Sequence, residues 1–304
     1  LGVAVVAAVG AALASDGTGS GSLVVAAVQG GGERGVRAVD ANPRAVVDAH
    51  LAASRGIAPG SVALVLWPED VVDLEGSLAG STEEATLAAL ARELRATLVA
   101  GVVEEVDTPR RGFRNAAVVF GPDGTIVDRY DKVHRVPFGE YVPLRWLLDG
   151  IVDVSTIPRD AIAGRGAAQA DTPSGRMAVT ISYEVFFADR ARSGVRAGGR
   201  LLLVPTNASS YTTSQVPSQE VAVARMRAVE TGRWVVQAAP TGYSAVIDHR
   251  GRVRARSGLG SPAVLTEAVG LRTGRTLAVF LGEAPVVVLA ALMVGGMWLT
   301  RRKA

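Results

Sequence analysis

Three polar side chains that could do chemistry each follow closely on a strand-like run of apolar residues. Ser182 comes after the run Met177–Ile181, Glu69 ends the segment 66–69, and Lys132 lies in the segment 130–134. A strand that ends in a hydroxyl suits an acyl-transfer nucleophile, a nearby carboxylate can act as a general base, and an ammonium can stabilise an oxyanion. These residue types predict amide or ester acyl transfer at one end of a β-sheet.

Each of the three residues also has an ordinary structural explanation. Glu69 could be a helix cap or a loop carboxylate, Lys132 a solvated charge, and Ser182 a hydroxyl at the end of a strand. Residue type and spacing alone leave these alternatives open.

Composition narrows the class of protein. The chain has 304 residues, of which 48% are hydrophobic and 35 are glycine, and this composition suits one large domain with membrane segments. The net charge of +3 does not indicate a nucleic-acid partner. Because cysteine is absent, disulfides, thiolate metal sites and a cysteine nucleophile are excluded. His50, His134 and His249 lie too far apart in sequence for a metal motif, so we expect no metal.

The beginning of the chain is apolar. Residues 1–14 form an apolar and glycine-rich run without lysine or arginine. We therefore interpret residues 1–15 as the outer end of a truncated transmembrane helix rather than as a signal peptide. Residues 16–22, which are rich in glycine and serine, are predicted to be a flexible linker.

A second apolar run lies near the other end of the chain. The run Leu277–Leu299 contains Glu283 as its only charge and, at about 1.5 Å per residue, would cover roughly 30 Å of hydrocarbon. This predicts a transmembrane helix over residues 277–300. A buried core helix is the alternative, because Gly282 and Pro285 interrupt the run.

Charge sets the expected orientation. Residues 301–304 are basic, and lysine and arginine favour the cytoplasmic side of a membrane. The domain between the two apolar runs, residues 23–276, is then expected on the outer or periplasmic face.

The residues between the apolar runs predict an α/β sandwich, because strand-like and helix-like segments alternate. Strands are predicted at 23–29, 62–67, 98–103, 115–120, 125–129, 177–181, 201–204, 234–238 and 244–248, and helices from Pro43, from the capping sequence Ser81–Glu84 and over 218–230.

A glycine-rich segment after the first strand matches a dinucleotide fingerprint only weakly. Residues 30–35 fit G-x-G-x-x-G, but the next helix is predicted to begin at Pro43, with Asn42 as its cap. In a dinucleotide site the glycines open the helix directly. We expect a mobile glycine loop and no cofactor.

Longer motifs around the candidate residues resemble those of the nitrilase superfamily and, within it, of the apolipoprotein N-acyltransferases. The motifs are Trp67-Pro68-Glu69, the segment from Tyr130 to Pro143, and Ile181-Ser182-Tyr183-Glu184, with further similarity over 206–207, 224–230 and 244–249. The Val-Pro-Phe-Gly-Glu-Tyr-Val-Pro continuation that ends at Pro143 is the most specific of them.

The resemblance implies a nitrilase-like α-β-β-α sandwich flanked by transmembrane helices, in a multi-pass protein of the bacterial inner or plasma membrane. It implies transfer of an acyl chain from a membrane phospholipid to the diacylglyceryl-cysteine that begins an apolipoprotein. Glu69 would be the general base, Lys132 the ammonium that stabilises the oxyanion, and position 182 the nucleophile that carries the acyl group. The backbone N–H of Tyr183 would complete the oxyanion hole.

Further residues of the same motifs are implied to support the site. Glu140 and Glu184 match supporting carboxylates of the family. Phe138, Tyr141 and Tyr211 are candidate substrate contacts, and Tyr211 lies in a loop where the family often has a tryptophan.

Position 182 departs from the family pattern, because the family has cysteine where this chain has Ser182. A thiol has a pKa of about 8.5, whereas a serine hydroxyl needs much stronger activation. Three explanations compete: an engineered Cys-to-Ser change that stalls the enzyme, a natural inactive copy, and a serine-using variant. We take the first as the expectation, because the rest of the site is intact.

Two other functions remain alternatives. A nitrilase-type amidase would hydrolyse a small amide with water and would need no apolar groove. A membrane-tethered protein that only binds lipid or lipoprotein would need no Glu-Lys pair. The expectation for the acyltransferase is an apolar opening that leads to Ser182.

Overall fold

Two β-sheets pack face to face and carry helices on their outer faces in the computed structural model. The structure describes residues 17–32, 42–106, 112–148, 157–211 and 213–301. The strands are β1 (Thr18–Gln29), β2 (Leu64–Leu66), β3 (Val72–Leu74), β4 (Thr97–Val106), β5 (Gly112–Phe120), β6 (Ile126–Asp131), β7 (Asp160–Ala161), β8 (Gln169–Thr172), β9 (Gly175–Val179), β10 (Leu202–Pro205), β11 (Val235–Ala238), β12 (Ala245–Ile247), β13 (Val253–Arg256) and β14 (Ala263–Thr273).

The helices cover the two outer faces, follow the last strand or, in one short case, lie between β6 and β7. They are α1 (Pro43–Ser54), α2 (Thr82–Leu94), α3 (Arg145–Leu148), α4 (Ala188–Arg196), α5 (Val216–Thr231), α6 (Leu277–Leu281) and α7 (Ala284–Arg301), with short 3₁₀ turns at Ser182–Phe186 and Ser209–Tyr211.

Parallel strands form the centre of each sheet. The first sheet has the order β14-β1-β2-β4-β5-β6, with β3 and β7 as side branches, and β1, β2 and β4 run parallel. The second sheet has the order β13-β12-β11-β10-β9-β8, and β9, β10 and β11 run parallel. In such sheets a functional site lies beyond the carboxyl ends of the parallel strands.

Alternation along the strands builds three hydrophobic layers. In β2, Leu64 and Leu66 face the layer between the sheets, where Leu203 of β10 also lies. Val65 points the other way, into the layer beneath α1 and α2. A third layer packs α4 and α5 against the outside of the second sheet, around residues such as Ala224. These layers confirm the predicted α/β sandwich.

Helix caps appear where the sequence predicts them. The side chain of Asn42 accepts from the backbone N–H of Arg44 at the start of α1. Ser81 accepts from the N–H of Glu84, whose carboxylate in turn accepts from the N–H of Gly80. Capping by short polar side chains satisfies N–H groups that have no partner inside the helix.

The start of β1 differs from the prediction. Residues 18–22, which were predicted to be part of a flexible linker, extend β1 and pair with β14, with a register shift between Gly19 and Ser22. Residues 263–273 were not predicted as a strand, because β14 is an edge strand with a half-exposed face and no continuous apolar run. Residues 1–16, with the predicted end of a transmembrane helix, and residues 33–41, with part of the glycine loop, lie outside the described residues.

The apolar run near the end of the chain is not one helix. It divides into α6 and α7, because Gly282, with a positive φ of 61°, closes α6. Glu283 follows and pairs with Arg192 of α4 at 2.9 Å. Among the described residues, we find no helix whose length and apolar character suffice to cross a membrane.

Candidate active site

The three candidate residues from different parts of the chain meet at one end of the two sheets. Glu69 follows β2, Lys132 follows β6 directly, and Ser182 follows β9. All three line one cavity of about 380 Å³. Convergence of these side chains in one cavity is the arrangement that the acyl-transfer prediction requires.

Lys132 lies between two carboxylates. Its Nζ donates to Oε1 of Glu69 at 2.8 Å and to Oε1 of Glu140 at 2.6 Å. Asn115 of β5 donates its amide to the same Oε1 of Glu69 at 2.8 Å, and the other oxygen of Glu140 accepts from the N–H of Val136. Both predicted carboxylates therefore contact the ammonium directly, and their orientation is fixed by further hydrogen bonds.

Burial and the neighbouring charges shift the pKa values of this cluster. Burial raises the pKa of the Glu69 carboxyl, and Glu140 adds to the rise, while Lys132 opposes it. Burial alone would lower the pKa of the Lys132 ammonium, but the two carboxylates outweigh burial and raise it. Lys132 therefore stays protonated, and two carboxylates share one positive charge.

The backbone around Glu69 is tightly packed against β4. Gly101 donates its N–H to the carbonyl of Pro68 at 3.1 Å, and a Cβ on Gly101 would lie 2.5 Å from Cα of Glu69. A side chain at position 101 would therefore displace the loop that carries the carboxylate.

Three site loops contain residues with left-handed backbone conformations. Asp70 next to Glu69, Phe138 in the Lys132 loop (residues 132–144, between β6 and α3), and Ser182 have φ of 57°, 57° and 47°. For residues other than glycine such conformations cost about 1 kcal/mol or more each. At Ser182 this conformation turns the chain from β9 into a 3₁₀ turn, so that the hydroxyl enters the cavity.

Glu184 supports the site from outside the cavity. One carboxylate oxygen accepts from the N–H groups of Val133 and His134, at 2.8 and 3.0 Å, and the other accepts from the N–H of Ile181 at 2.9 Å. Tyr130 donates its hydroxyl to the same carboxylate. Glu184 thus joins the loop that follows Lys132 to the turn that carries Ser182.

Two residues near Ser182 were not assigned a role from the sequence: Thr206, and Glu220, which lines the cavity. Thr206, directly after β10, has its hydroxyl oxygen 3.3 Å from Oγ of Ser182 and donates to Oε1 of Glu220 at 2.6 Å. Burial raises the pKa of Glu220 from its ordinary value of 4.5 to about 7. The sequence signal that could have identified Glu220 is its position on the buried face of α5, together with Val221 and Ala224.

The predicted substrate contacts occupy different places. Tyr211 lines the cavity and is half exposed. Tyr141 lies beneath the guanidinium of Arg135, whose carbon is 4.1 Å from the ring centroid. Phe138 is exposed and belongs to a group of exposed apolar residues on the Lys132 loop and α3, namely Phe138, Leu144, Trp146 and Leu147. We call these four residues the apolar rim.

The remaining walls of the cavity are mainly apolar. They include the side chains of Val136, Phe186, Ala208 and Val216, together with Tyr183. An apolar cavity with a few convergent polar groups is typical of a site for a small molecule or an acyl chain. Within the described parts of the chain, no group of three or more potential ligand side chains is arranged to hold a metal ion.

Comparison with known proteins gives consistent matches. A family model described as carbon-nitrogen hydrolase matches residues 24–278. The apolipoprotein N-acyltransferase of Geobacter metallireducens is 35% identical over 227 residues, which are 73% of this chain and 43% of that protein. The one of Mycolicibacterium smegmatis is 31% identical over 294 residues, which are 92% of this chain and 49% of that protein. The chain spans about half the length of the curated relatives that it matches.

Solved structures of low sequence identity share the fold. Nit3 of Saccharomyces cerevisiae, a member of branch 10 of the nitrilase superfamily, matches with a TM-score of 0.63 at 21% identity, over 84% of this chain and 92% of that chain. A carbon-nitrogen hydrolase from Helicobacter pylori G27 matches with a TM-score of 0.61 at 15% identity, over 82% of this chain and 89% of that chain. These matches confirm the nitrilase-like fold that the motifs implied.

Proposed function

This chain belongs to the carbon-nitrogen hydrolase family, and we propose that it acts as an N-acyltransferase, with a membrane phospholipid as acyl donor and the N-terminal diacylglyceryl-cysteine of an apolipoprotein as acceptor. The resemblance to apolipoprotein N-acyltransferases is confirmed by the curated relatives. The observation that carries the proposal is that Glu69, Lys132 and Ser182 line one cavity whose other walls are mainly apolar.

The polar residues supply the groups that acyl transfer needs. In the proposal, Ser182 attacks the acyl carbonyl of the donor and carries the acyl group as an ester. An ammonium has three donors, and Lys132 uses two of them on Glu69 and Glu140, so a third can bind the oxyanion. Glu69 then acts as general base for the incoming amine.

The turn that carries Ser182 offers a second hydrogen-bond donor for the oxyanion. Tyr183 is the second residue of a 3₁₀ turn, and the first N–H groups of a helix have no partner within it. We assign the N–H of Tyr183 to the oxyanion hole, together with the ammonium of Lys132. Two donors of this kind stabilise the negative charge that develops on the carbonyl oxygen.

The exposed apolar surface supports a membrane location. Trp146 of the apolar rim is 74% exposed, and the side chains of α7 that the structure describes are exposed as well, including Val287, Leu292 and Trp298. Exposed apolar patches of this extent mark surfaces that contact lipid or another protein. We propose that the domain of residues 23–276 works at the outer face of the bacterial plasma membrane, with the apolar rim and α7 against lipid.

Intact-mass spectrometry tests the proposal. The full chain and its Ser182→Cys and Ser182→Ala variants are incubated with phosphatidylethanolamine vesicles, without an acceptor peptide. We expect one added acyl group on a side chain at position 182 in the first two proteins and none on Ser182→Ala. Addition of a diacylated lipopeptide should then remove the adduct and acylate the peptide.

Other results would point to the alternative functions. Hydrolysis of small amides without an acyl adduct from phospholipid would indicate an amidase. Binding of vesicles and lipopeptide without any adduct, even with Ser182→Cys, would indicate a binding protein and would contradict the proposal.

A further inference from the structure

Thr206 lies between Ser182 and a buried carboxylate. Its hydroxyl oxygen is 2.6 Å from Oε1 of Glu220 and 3.3 Å from Oγ of Ser182. A threonine hydroxyl has one hydrogen and two acceptor lone pairs. The structure records Thr206 as the donor in both contacts, but its one hydrogen cannot serve two acceptors at once. An ionised Glu220 can only accept and is the nearer of the two, so it takes the hydrogen of Thr206, and the hydroxyl of Ser182 can then rotate to donate to the oxygen of Thr206.

Glu220 is placed to take up a proton. It is 3% exposed, and its second oxygen, Oε2, has no hydrogen-bond partner among the described residues. Burial raises the pKa of Glu220 to about 7, so that both protonation states are populated near neutral pH. A group with this pKa is well matched to general-base catalysis at that pH.

Glu69, the carboxylate that the family pattern assigns as the base, is hydrogen-bonded to other residues. Glu69 receives hydrogen bonds from Lys132 and Asn115 through the same oxygen, at 2.8 Å each. The hydrogen bond of the Ser182 hydroxyl that the structure records is the one with Thr206. The path by which Ser182 can lose a proton therefore leads to Glu220.

We propose that Ser182 is a working nucleophile whose hydroxyl proton passes through Thr206 to Glu220. This relay rests on the proposed function and explains how a serine can serve where the family has cysteine. It departs from the expectation that the serine stalls the enzyme. In this scheme Thr206 is a catalytic residue, because it contacts the nucleophile, and Glu220 acts through Thr206.

The proton balance of the first half-reaction is complete. Oγ of Ser182 forms a bond to the acyl carbon, its proton moves to Oγ of Thr206, and the proton of Thr206 moves to Oε1 of Glu220. When the tetrahedral intermediate collapses, the ester C–O bond of the donor breaks and the leaving oxygen receives a proton from Glu220 by the same path. The products are the Ser182 ester and a lysophospholipid.

The second half-reaction restores the serine. The α-amine of the acceptor attacks the Ser182 ester and gives its proton to Glu69. That proton passes from Glu69 to Glu220 by way of water in the open cavity. As the bond between Oγ and the acyl carbon breaks, Glu220 delivers the proton through Thr206 to Oγ, so both carboxylates end ionised, as they began.

Charges that face Glu220 set the pH at which the relay works. Glu69 raises the pKa of Glu220 and Lys132 lowers it, while Thr206 stabilises the ionised form by its hydrogen bond. Because the relay needs ionised Glu220, acylation of Ser182 should increase with pH and level off above neutrality.

The test measures the pre-steady-state rate of acylation of the full chain by p-nitrophenyl octanoate and by phospholipid vesicles between pH 5 and 9. We expect the rate of the unsubstituted chain to rise with a midpoint near pH 7. Glu220→Gln should lower the rate by about 100-fold or more and remove this midpoint. Thr206→Val should act in the same way, and Thr206→Ser should retain most of the rate.

Repeating Glu220→Gln in the Ser182→Cys protein distinguishes the loss of a proton path from a structural effect of the substitution. A thiol ionises far more readily than a serine hydroxyl, so Glu220→Gln should slow acylation of the Ser182→Cys protein by less than about tenfold. Equal losses in both backgrounds would overturn the relay in favour of a structural role for Glu220. Glu93→Gln, an exposed carboxylate on α2, is the matched control.

Three other results of the acylation assay would lead to different conclusions about the relay and the proposed function. Acylation of the Ser182→Cys protein alone would overturn the relay, leave the proposed function standing, and restore the interpretation of Ser182 as a stalling substitution. Acylation of the Ser182 chain that is unchanged by Glu220→Gln would overturn only the relay. No acylation of either protein by phospholipid would overturn the proposed function as well.

Discussion

The carboxylate of Glu184 accepts the backbone N–H of Val133 at 2.8 Å, and this contact ties the residue after Lys132 to the turn that holds Ser182. The same side chain accepts from Ile181 on the other side, so a single buried carboxylate sets the spacing of two elements from different sheets. The Glu184 side chain is fully buried, so the loss of any of these hydrogen bonds would leave a buried polar group without a partner and would lower stability.

Glu184→Gln should destabilise the fold and misplace Ser182. An amide in this position sets one NH₂ group against backbone N–H donors, so we expect a loss of about 2 to 3 kcal/mol in the free energy of unfolding. Urea unfolding measures the loss, and the acylation rate of Ser182 should fall in parallel. Glu93→Gln should change neither quantity, and equal stability of the two variants would refute the role of Glu184.

Lys132→Met should remove activity and leave Glu69 and Glu140 facing each other without a counter-charge. Breaking a buried ion pair by removing one partner costs about 3 to 5 kcal/mol. The double variant Lys132→Met/Glu140→Gln should recover much of the stability and none of the acylation. Recovery of acylation in the double variant would show that Lys132 has no direct part in the chemistry.

Gly101→Ala should affect catalysis through the backbone of β4. The new Cβ would come within 2.5 Å of Cα of Glu69, so the loop that carries this carboxylate must move. We expect a loss of at least tenfold in acylation rate and a clear loss of thermal stability. Gly258→Ala, at a position with open space around the new Cβ, is the control. Equal behaviour of the two variants would contradict the close approach.

The pH dependence of stability should report on Glu220. Its pKa rises from 4.5 to about 7 on folding, so between these values the native state binds more protons than the unfolded state. The stabilising contribution is complete below pH 4.5 and is lost as pH rises through 7, by about 3 kcal/mol. Relative to the unsubstituted chain, Glu220→Gln should therefore be more stable at pH 8 than at pH 4. A difference independent of pH would rule out the raised pKa.

Substitutions in the apolar rim should separate membrane binding from chemistry. Trp146→Ser combined with Leu147→Ser should lower co-flotation with phospholipid vesicles several-fold, because each exposed apolar side chain contributes about 1 to 3 kcal/mol when it enters lipid. Acylation by the soluble ester should stay unchanged. Val253→Ser, an exposed apolar residue of β13, serves as the control. Unchanged flotation of the double variant would argue against a lipid-facing rim.

The end of the chain shows why a hydropathy pattern did not settle the fold. The run from 277 to 299 has the length and apolar content of a single long helix, but α6 ends at Leu281, where Gly282 has a positive φ, and α7 begins only at Ala284. Thr276 caps α6, and Glu283 pairs with Arg192 of α4, so residues before and after the break are held against the domain. Such tertiary contacts decide between one helix and two.

By itself, the sequence determined the alternation of strands and helices, the caps at Asn42 and Ser81, and the positions of Glu69, Lys132 and Ser182 after strands, because these depend on neighbours within a few positions. Only the tertiary structure decided the partners of those residues. Lys132 meets Glu69 across 63 positions of sequence, and Thr206 joins Ser182 to Glu220 across 24 and 14. Such contacts depend on strand order and on the packing of α5, and no local periodicity encodes them.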